Sequence, residues 1–170
     1  DVVRPRRVAG TYERGRTVLG EAGLGKSSLV RRIARDAAEH GDWVTSQLRL
    51  PQGADPLKLL ASALLDLAGR AGITAAREQR MKDLLDRVEQ LSVAGWSIGL
   101  RSAPGPDPHV AVTELLIEIC RAAMAHDDRM VLIHLDEVQN ITDDAALSQL
   151  LIALGDALSH TEQVRVPGGV

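Results

Sequence analysis

Residues Gly20-Glu21-Ala22-Gly23-Leu24-Gly25-Lys26-Ser27 fit the pattern G-x-x-x-x-G-K-[ST] at every fixed position. Those residue types suit one task, the grip of a chain of phosphates. A loop that wraps a phosphate needs main-chain N–H groups converging on one point, through dihedrals that glycine adopts at little cost. A helix opening near Lys26 adds its N-terminal amides and the positive end of its dipole. Lys26 can then reach the β- and γ-phosphates, and the Ser27 hydroxyl can ligate Mg2+. Gly20 to Ser27, with Ser28 after them, are the candidate nucleotide-binding residues.

A second constellation lies far downstream. Val131-Leu132-Ile133-His134-Leu135 is an apolar run that ends in Asp136-Glu137. An aspartate at the C-terminal edge of a strand beside a phosphate loop can hold Mg2+, directly or through water. A glutamate one position on can orient and deprotonate a water for attack on the γ-phosphate. Asp136 and Ser27 are therefore the candidate metal ligands, and Glu137 is the candidate catalytic base. A second acid points to hydrolysis of ATP by water rather than transfer to a bound small molecule. The sequence contains no Asn-Lys-x-Asp guanine-reading motif, which argues against a GTPase. Gln139 and Asn140 follow closely, either as γ-phosphate or water contacts or as ordinary loop polars. His134 reads as a hydrogen-bonded core histidine, Cys120 as a core residue, and Trp43 and Trp96 as packing residues.

These groups need elements to position them. Thr17–Leu19 is a β-prone run before the glycines, short for a strand that must deliver the loop. Ser27–His40 carries Leu29, Val30, Ile33, Ala34 and Ala37 at helical spacing, with Gly41 as its stop. Trp43–Leu50 reads as a strand ended by Pro51-Gln52-Gly53. Asp55-Pro56 opens a helix bearing Leu57, Leu60, Ala61, Leu64 and Leu65, which stops around Gly69–Gly72. Thr74 starts another, with Met81, Leu84, Leu85, Val88 and Leu91 as its stripe. Gly95–Pro108 is a Gly/Pro-rich connection containing a short strand, Trp96–Leu100. A helix with Val112, Leu115, Leu116, Ile119, Cys120 and Ala123 on one face comes next. Met130–Leu135 has the continuous apolar character of an interior parallel strand. Thr142 then caps a last helix with Leu147, Leu150, Leu151, Leu154 and Leu158. Strands alternating with amphipathic helices predict an α/β layered fold with a parallel sheet.

Composition narrows the function classes. The chain has 170 residues, 45% hydrophobic and 25% charged, as expected of one globular unit. Twenty Lys+Arg against 23 Asp+Glu give a formal charge of −3, unlike a strongly basic nucleic-acid module. Arg4, Arg6 and Arg7 read as a solvated arm. A single cysteine cannot form an internal disulfide, so nothing points to secretion. The apolar runs fall well short of the ~18–20 residues that span a bilayer. The expectation is a soluble, cytoplasmic protein with no membrane partner. Aromatic content is 2% with no Phe, so the core must be aliphatic. Because the sequence starts at Asp1 rather than Met, a further upstream segment is expected.

Gly20–Ser27 followed by Ser28-Leu29-Val30, with Val131–Glu137 downstream, resembles the AAA+ ATPases. Within them it is similar to the bacterial ATP-binding proteins with an origin-recognition-complex-like ATPase module. The resemblance implies a P-loop NTPase, a three-layer α/β/α fold with the phosphate-loop strand central in a parallel sheet. It implies that Lys26 and Ser27 bind phosphate and Mg2+, that Asp136 supports Mg2+, and that Glu137 is the hydrolytic base. It covers residues 17–160, between an irregular lead-in at 1–16 and a tail at 161–170. Members of that family carry a sensor strand, an arginine finger and a helical lid further on. Val164-Arg165-Val166 is too short to stand for that strand. The expectation is an incomplete module, lacking the sensor strand and lid, with an exposed sheet edge or apolar patch that favours a protein partner or a homo-oligomer.

Three functions fit these residues. One is an ATP-binding, Mg2+-dependent ATPase that drives conformational change in a larger assembly. Another is a non-hydrolysing switch in which ATP versus ADP sets partner affinity. The third is a DNA-associated helper ATPase, which the resemblance permits and the charge does not support.

Overall fold

The computed structural model describes residues 15–21, 23–73, 83–84, 86–88 and 108–165. The basic arm around Pro5, Ala22, the start of the helix at Thr74, the Trp96–Leu100 strand and residues 166–170 lie outside the described residues.

Helix α1 covers Lys26–Glu39 and is followed by Gly41 at φ 85°, so the expected glycine stop is present. Strands β1 (Trp43–Val44) and β2 (Leu48–Arg49) come next, then helix α2 (Pro56–Arg70). Helix α3 (Pro108–Ala125) leads to strands β3 (Val131–Leu132) and β4 (Leu135–Asp136), a 3-10 turn at Val138–Asn140, and helix α4 (Asp144–Arg165). Strand β1 pairs in parallel with β3, and β2 in parallel with β4. Helices alternating with parallel strands give the α/β class. The described residues contain two two-stranded parallel pairs and no larger sheet, so the three-layer detail goes beyond them.

The interruption in each strand has a cause. Amides of Trp43, Thr45, Leu48 and Leu50 donate to the carbonyls of Met130, Leu132, His134 and Asp136 at 2.8–3.1 Å. One side of the ladder advances by two residues each time, but the other takes three between Thr45 and Leu48. The extra residue is a bulge, uncommon in parallel pairs and a device that re-aims side chains. At the bulge the Thr45 hydroxyl accepts the His134 N–H at 3.1 Å. The expected strands at Trp43–Leu50 and Met130–Leu135 are thus present, each broken at its middle.

The core is aliphatic, as the composition requires. Leu57, Leu60, Leu64 and Leu67 of α2 meet Val112, Leu115 and Ile119 of α3 and Leu150, Ala153 and Ala157 of α4. Leu84 and Val88 join them. Each fully buried leucine contributes roughly 1.5–3 kcal/mol over its exposed state. Helix α2 opens as expected, with Asp55 Oδ1 accepting the amides of Leu57 and Lys58 at 3.0 and 3.2 Å and Pro56 in the first turn. Asp55→Ala is expected to lower unfolding free energy by about 1 kcal/mol. The check is a lower urea midpoint at unchanged m-value.

Four expectations are corrected. Thr17–Leu19 forms no strand, and Leu19 is 86% exposed. The run is short, and its flank Gly15-Arg16 offers nothing β-prone to lengthen it. Second, the apolar stripe of α1 contributes no buried residue, and Leu29 and Ile33 lie exposed. Third, the 131–135 run is only half-buried except at His134, unlike a strand covered on both faces. Fourth, Asp143 rather than Thr142 caps α4, accepting the Ala145 amide at 2.9 Å. The buried stripe of α4 runs through Leu150, Ala153 and Ala157, which leaves Leu151 and Leu158 outside. Helix α4 also takes in Val164 and Arg165.

Among the described residues no helix is long and apolar enough to cross a membrane.

Candidate functional site

The loop before α1 has the backbone its glycines make possible. Gly25, the residue before the helix, sits at φ 77° and Gly23 at φ 82°, where a side chain is disfavoured. The first amides of α1 have no intrahelical partners and face the loop side of the helix, the arrangement that suits an anion. Glu21, Gly23, Leu24, Gly25 and Ser28 are exposed, while Lys26 and Ser27 are half-buried. The Lys26 ammonium folds back on the loop and donates to the carbonyl oxygens of Gly20 at 2.7 Å and Glu21 at 2.6 Å. Its charge is therefore held by two neutral acceptors that an anion can replace.

Ser27, one residue on, points the other way. Its hydroxyl donates to Asp136 at 3.2 Å to Oδ2 and lies 3.5 Å from Oδ1, across 109 positions of sequence. The chain path explains why they meet: β1 follows the turn after α1 and leads through the bulge into β2, whose Arg49 is in parallel register with Asp136 at the end of β4. Asp136 also accepts the Glu137 amide on Oδ1 at 3.0 Å and the Gln47 Nε2 on Oδ2 at 2.6 Å. Every one of these donors is neutral, so a cation is the natural complement of this carboxylate.

His134 adds no positive charge beside it. The imidazole is 3% exposed and Nε2 has no hydrogen-bond partner. Burial pushes its pKa below the usual histidine value, the Asp136 carboxylate raises it in part, and the Arg31 guanidinium lowers it further. The core histidine is found buried, but its Nε2 lacks the expected hydrogen bond.

Hard oxygens are what Mg2+ requires. Among the described residues no three His, Cys, Asp or Glu side chains gather where they could hold a metal together. Mg2+ keeps several waters and takes phosphate oxygens, so one carboxylate and one hydroxyl fit the role that Asp136 and Ser27 would play.

Glu137 is set apart from its neighbour by its backbone. It lies at φ 62°, ψ 34°, a left-handed conformation costing a non-glycine residue about 1 kcal/mol or more. Its carboxylate accepts from Gln139 Nε2 at 2.6 Å on Oε2 and lies 3.5 Å from Arg49 Nη2 on Oε1. The Arg49 side chain is 75% exposed, so that ion pair is weak. Gln139 thus reaches Glu137. Asn140 instead donates to the Leu50 carbonyl at 2.8 Å and ties the turn to the strand end, the ordinary polar role.

Three residues at this site carry no motif and escaped the sequence reading: Gln47, Arg31 and Arg49. Ser46, Gln47 and Arg49 are polar or charged positions in a run otherwise apolar and β-branched, a composition that does not by itself mark a bulge. Arg31 is four residues after Ser27, on the same helix face.

Searches of curated proteins and of solved structures return no match. A family model described as AAA ATPase domain matches residues 5–166, nearly the whole sequence. A glycine-built loop at a helix N-terminus, beside the carboxylate of a parallel strand's end, is what a nucleotide-binding domain of that kind is built on, and the chain belongs to the AAA ATPase domain family.

Proposed function

We propose that the chain binds ATP with Mg2+ at the 20–28 loop and hydrolyses it with Glu137 as the general base. The contact that carries this reading is the Ser27 hydroxyl against the Asp136 carboxylate, which joins the two motifs in one place. The amides of residues 23–27 and the Lys26 ammonium would take the β- and γ-phosphates, Lys26 exchanging its carbonyl partners for phosphate oxygens. Asp136 and Ser27 would hold the Mg2+, which supplies charge neutralisation for the leaving diphosphate. Glu137, turned away from Asp136 by its left-handed backbone, would accept a proton from the attacking water. Gln139 would orient its carboxylate. The energy released would serve conformational change in a larger assembly. The exposed apolar residues Leu29 and Ile33 of α1 are consistent with contacts to further protein.

A non-hydrolysing switch is the second reading, favoured by the hydrogen bond and ion pair that already engage both carboxylate oxygens of Glu137. Single-turnover incubation of radiolabelled ATP with excess protein and Mg2+ distinguishes them. Conversion to ADP and phosphate is the expected result. ATP that binds and stays intact establishes the switch.

A further inference from the structure

Gln47 lies in the bulge between β1 and β2, where a regular strand would have no residue to spare. Its side chain spans two groups. Nε2 donates to Asp136 Oδ2 at 2.6 Å, and Oε1 accepts from Arg31 Nε at 3.1 Å. Chemistry settles which end of the amide is which. A guanidinium can only donate, so the oxygen must face Arg31 and the NH2 must face the carboxylate. Arg31, one turn beyond Ser27 on α1, is thus brought near Asp136 and stopped one amide short of it.

We propose that Gln47 is a positioning residue that spaces the Arg31 guanidinium from Asp136, so that the carboxylate stays open to Mg2+ instead of closing in an ion pair. The proposal rests on the nucleotide and Mg2+ reading above. A direct Arg31–Asp136 pair would be charge-assisted and would compete with any metal for the same oxygens. The intervening amide passes on the arginine's polarisation as a hydrogen bond to Oδ2 without its net charge. The bulge is the structural device that makes room for it.

The experiment is a titration of the intact chain with a fluorescent ATP analogue, in EDTA and across a Mg2+ series, reading the Mg2+ concentration that half-maximally tightens binding. Gln47→Met keeps the length of the side chain and removes both polar contacts. It frees Arg31 to reach Asp136, and the half-point is expected to rise about tenfold, the scale of one charge-assisted hydrogen bond. Affinity in EDTA is expected to stay within about twofold. Arg31→Met, on an exposed face of α1, removes a cation near the metal and is expected to lower the half-point by about two- to threefold. The double variant should return to within about threefold of wild type, because the competing guanidinium is gone.

A Gln47→Met half-point equal to wild type overturns the proposal. So does an Arg31→Met half-point that is unchanged or higher, and this variant decides the matter if Gln47→Met does not fold. If wild type itself shows no Mg2+-dependent tightening, the failure belongs to the metal reading rather than to Gln47.

Discussion

Lys26→Ala is expected to weaken ATP binding at least about a hundredfold while leaving the fold intact. A charged donor contributes about 1.5–3 kcal/mol to a hydrogen bond. A lysine that contacts two phosphate oxygens therefore accounts for two orders of magnitude or more. Nothing in the described core depends on it: among the described residues its ammonium bonds to the Gly20 and Glu21 carbonyls, and α1 contributes no fully buried residue. The substitution also releases those two carbonyls, which loosens the loop that must close on the anion. Isothermal calorimetry with ATP and Mg2+ reads the loss, and far-UV circular dichroism reads the retained helices. Equal affinity in the variant would end the assignment of the phosphate loop.

The loop and the helix behind it are legible in the sequence because they depend on residue types at fixed spacing. Three glycines, all at positive φ, a lysine and a hydroxyl in eight positions make the candidate phosphate loop. The acidic pair was legible for a related reason, an apolar run ending abruptly in carboxylates. Helices α2 and α3 were legible from their stripes and from the Asp55-Pro56 opening. The misses share one physical origin, since each turns on a partner rather than on the segment itself. Thr17–Leu19 has the right residues for a strand and no paired neighbour among the described residues. The stripe of α1 has the right period, yet Leu29 and Ile33 stay exposed because a helical period states which face is apolar and not what will cover it. In α4 the leucines suggested a wider buried face than the helix uses. Its buried side includes the small Ala153 and Ala157 and leaves Leu151 outside.

Gln47 shows the same limit at the site itself. A bulge arises from a mismatch in step between two strands eighty-odd residues apart, and neither strand alone reveals it. Its effect on chemistry is direct all the same. The shift of one residue carries a side-chain amide to the carboxylate that the motif reading had identified, and the helix that bears Ser27 supplies the arginine behind it. The motif names the candidate groups, while the register decides what surrounds them.

Glu137→Gln carries the other large effect and bears on the reaction rather than on binding. The amide is nearly isosteric with the carboxylate and cannot take a proton from water. Turnover is therefore expected to fall by about 10²–10⁴, the usual contribution of a positioned general base. ATP affinity should change by less than about threefold, because Glu137 is not among the groups that would hold the phosphates or the metal. Its surroundings favour a clean substitution. The 3.5 Å contact to an exposed Arg49 contributes little, and the new side chain keeps one oxygen for the Gln139 amide. The strained backbone at φ 62° is unaffected by the change, so the side chain still projects from the same place. Single-turnover rates, with affinities measured in parallel, separate the two parameters. Equal rates in variant and wild type would remove Glu137 as the base. A joint collapse of rate and affinity would instead place it among the ligand contacts. The expected pattern, tight binding with stalled chemistry, arises only if the residue after the proposed metal ligand works on the water.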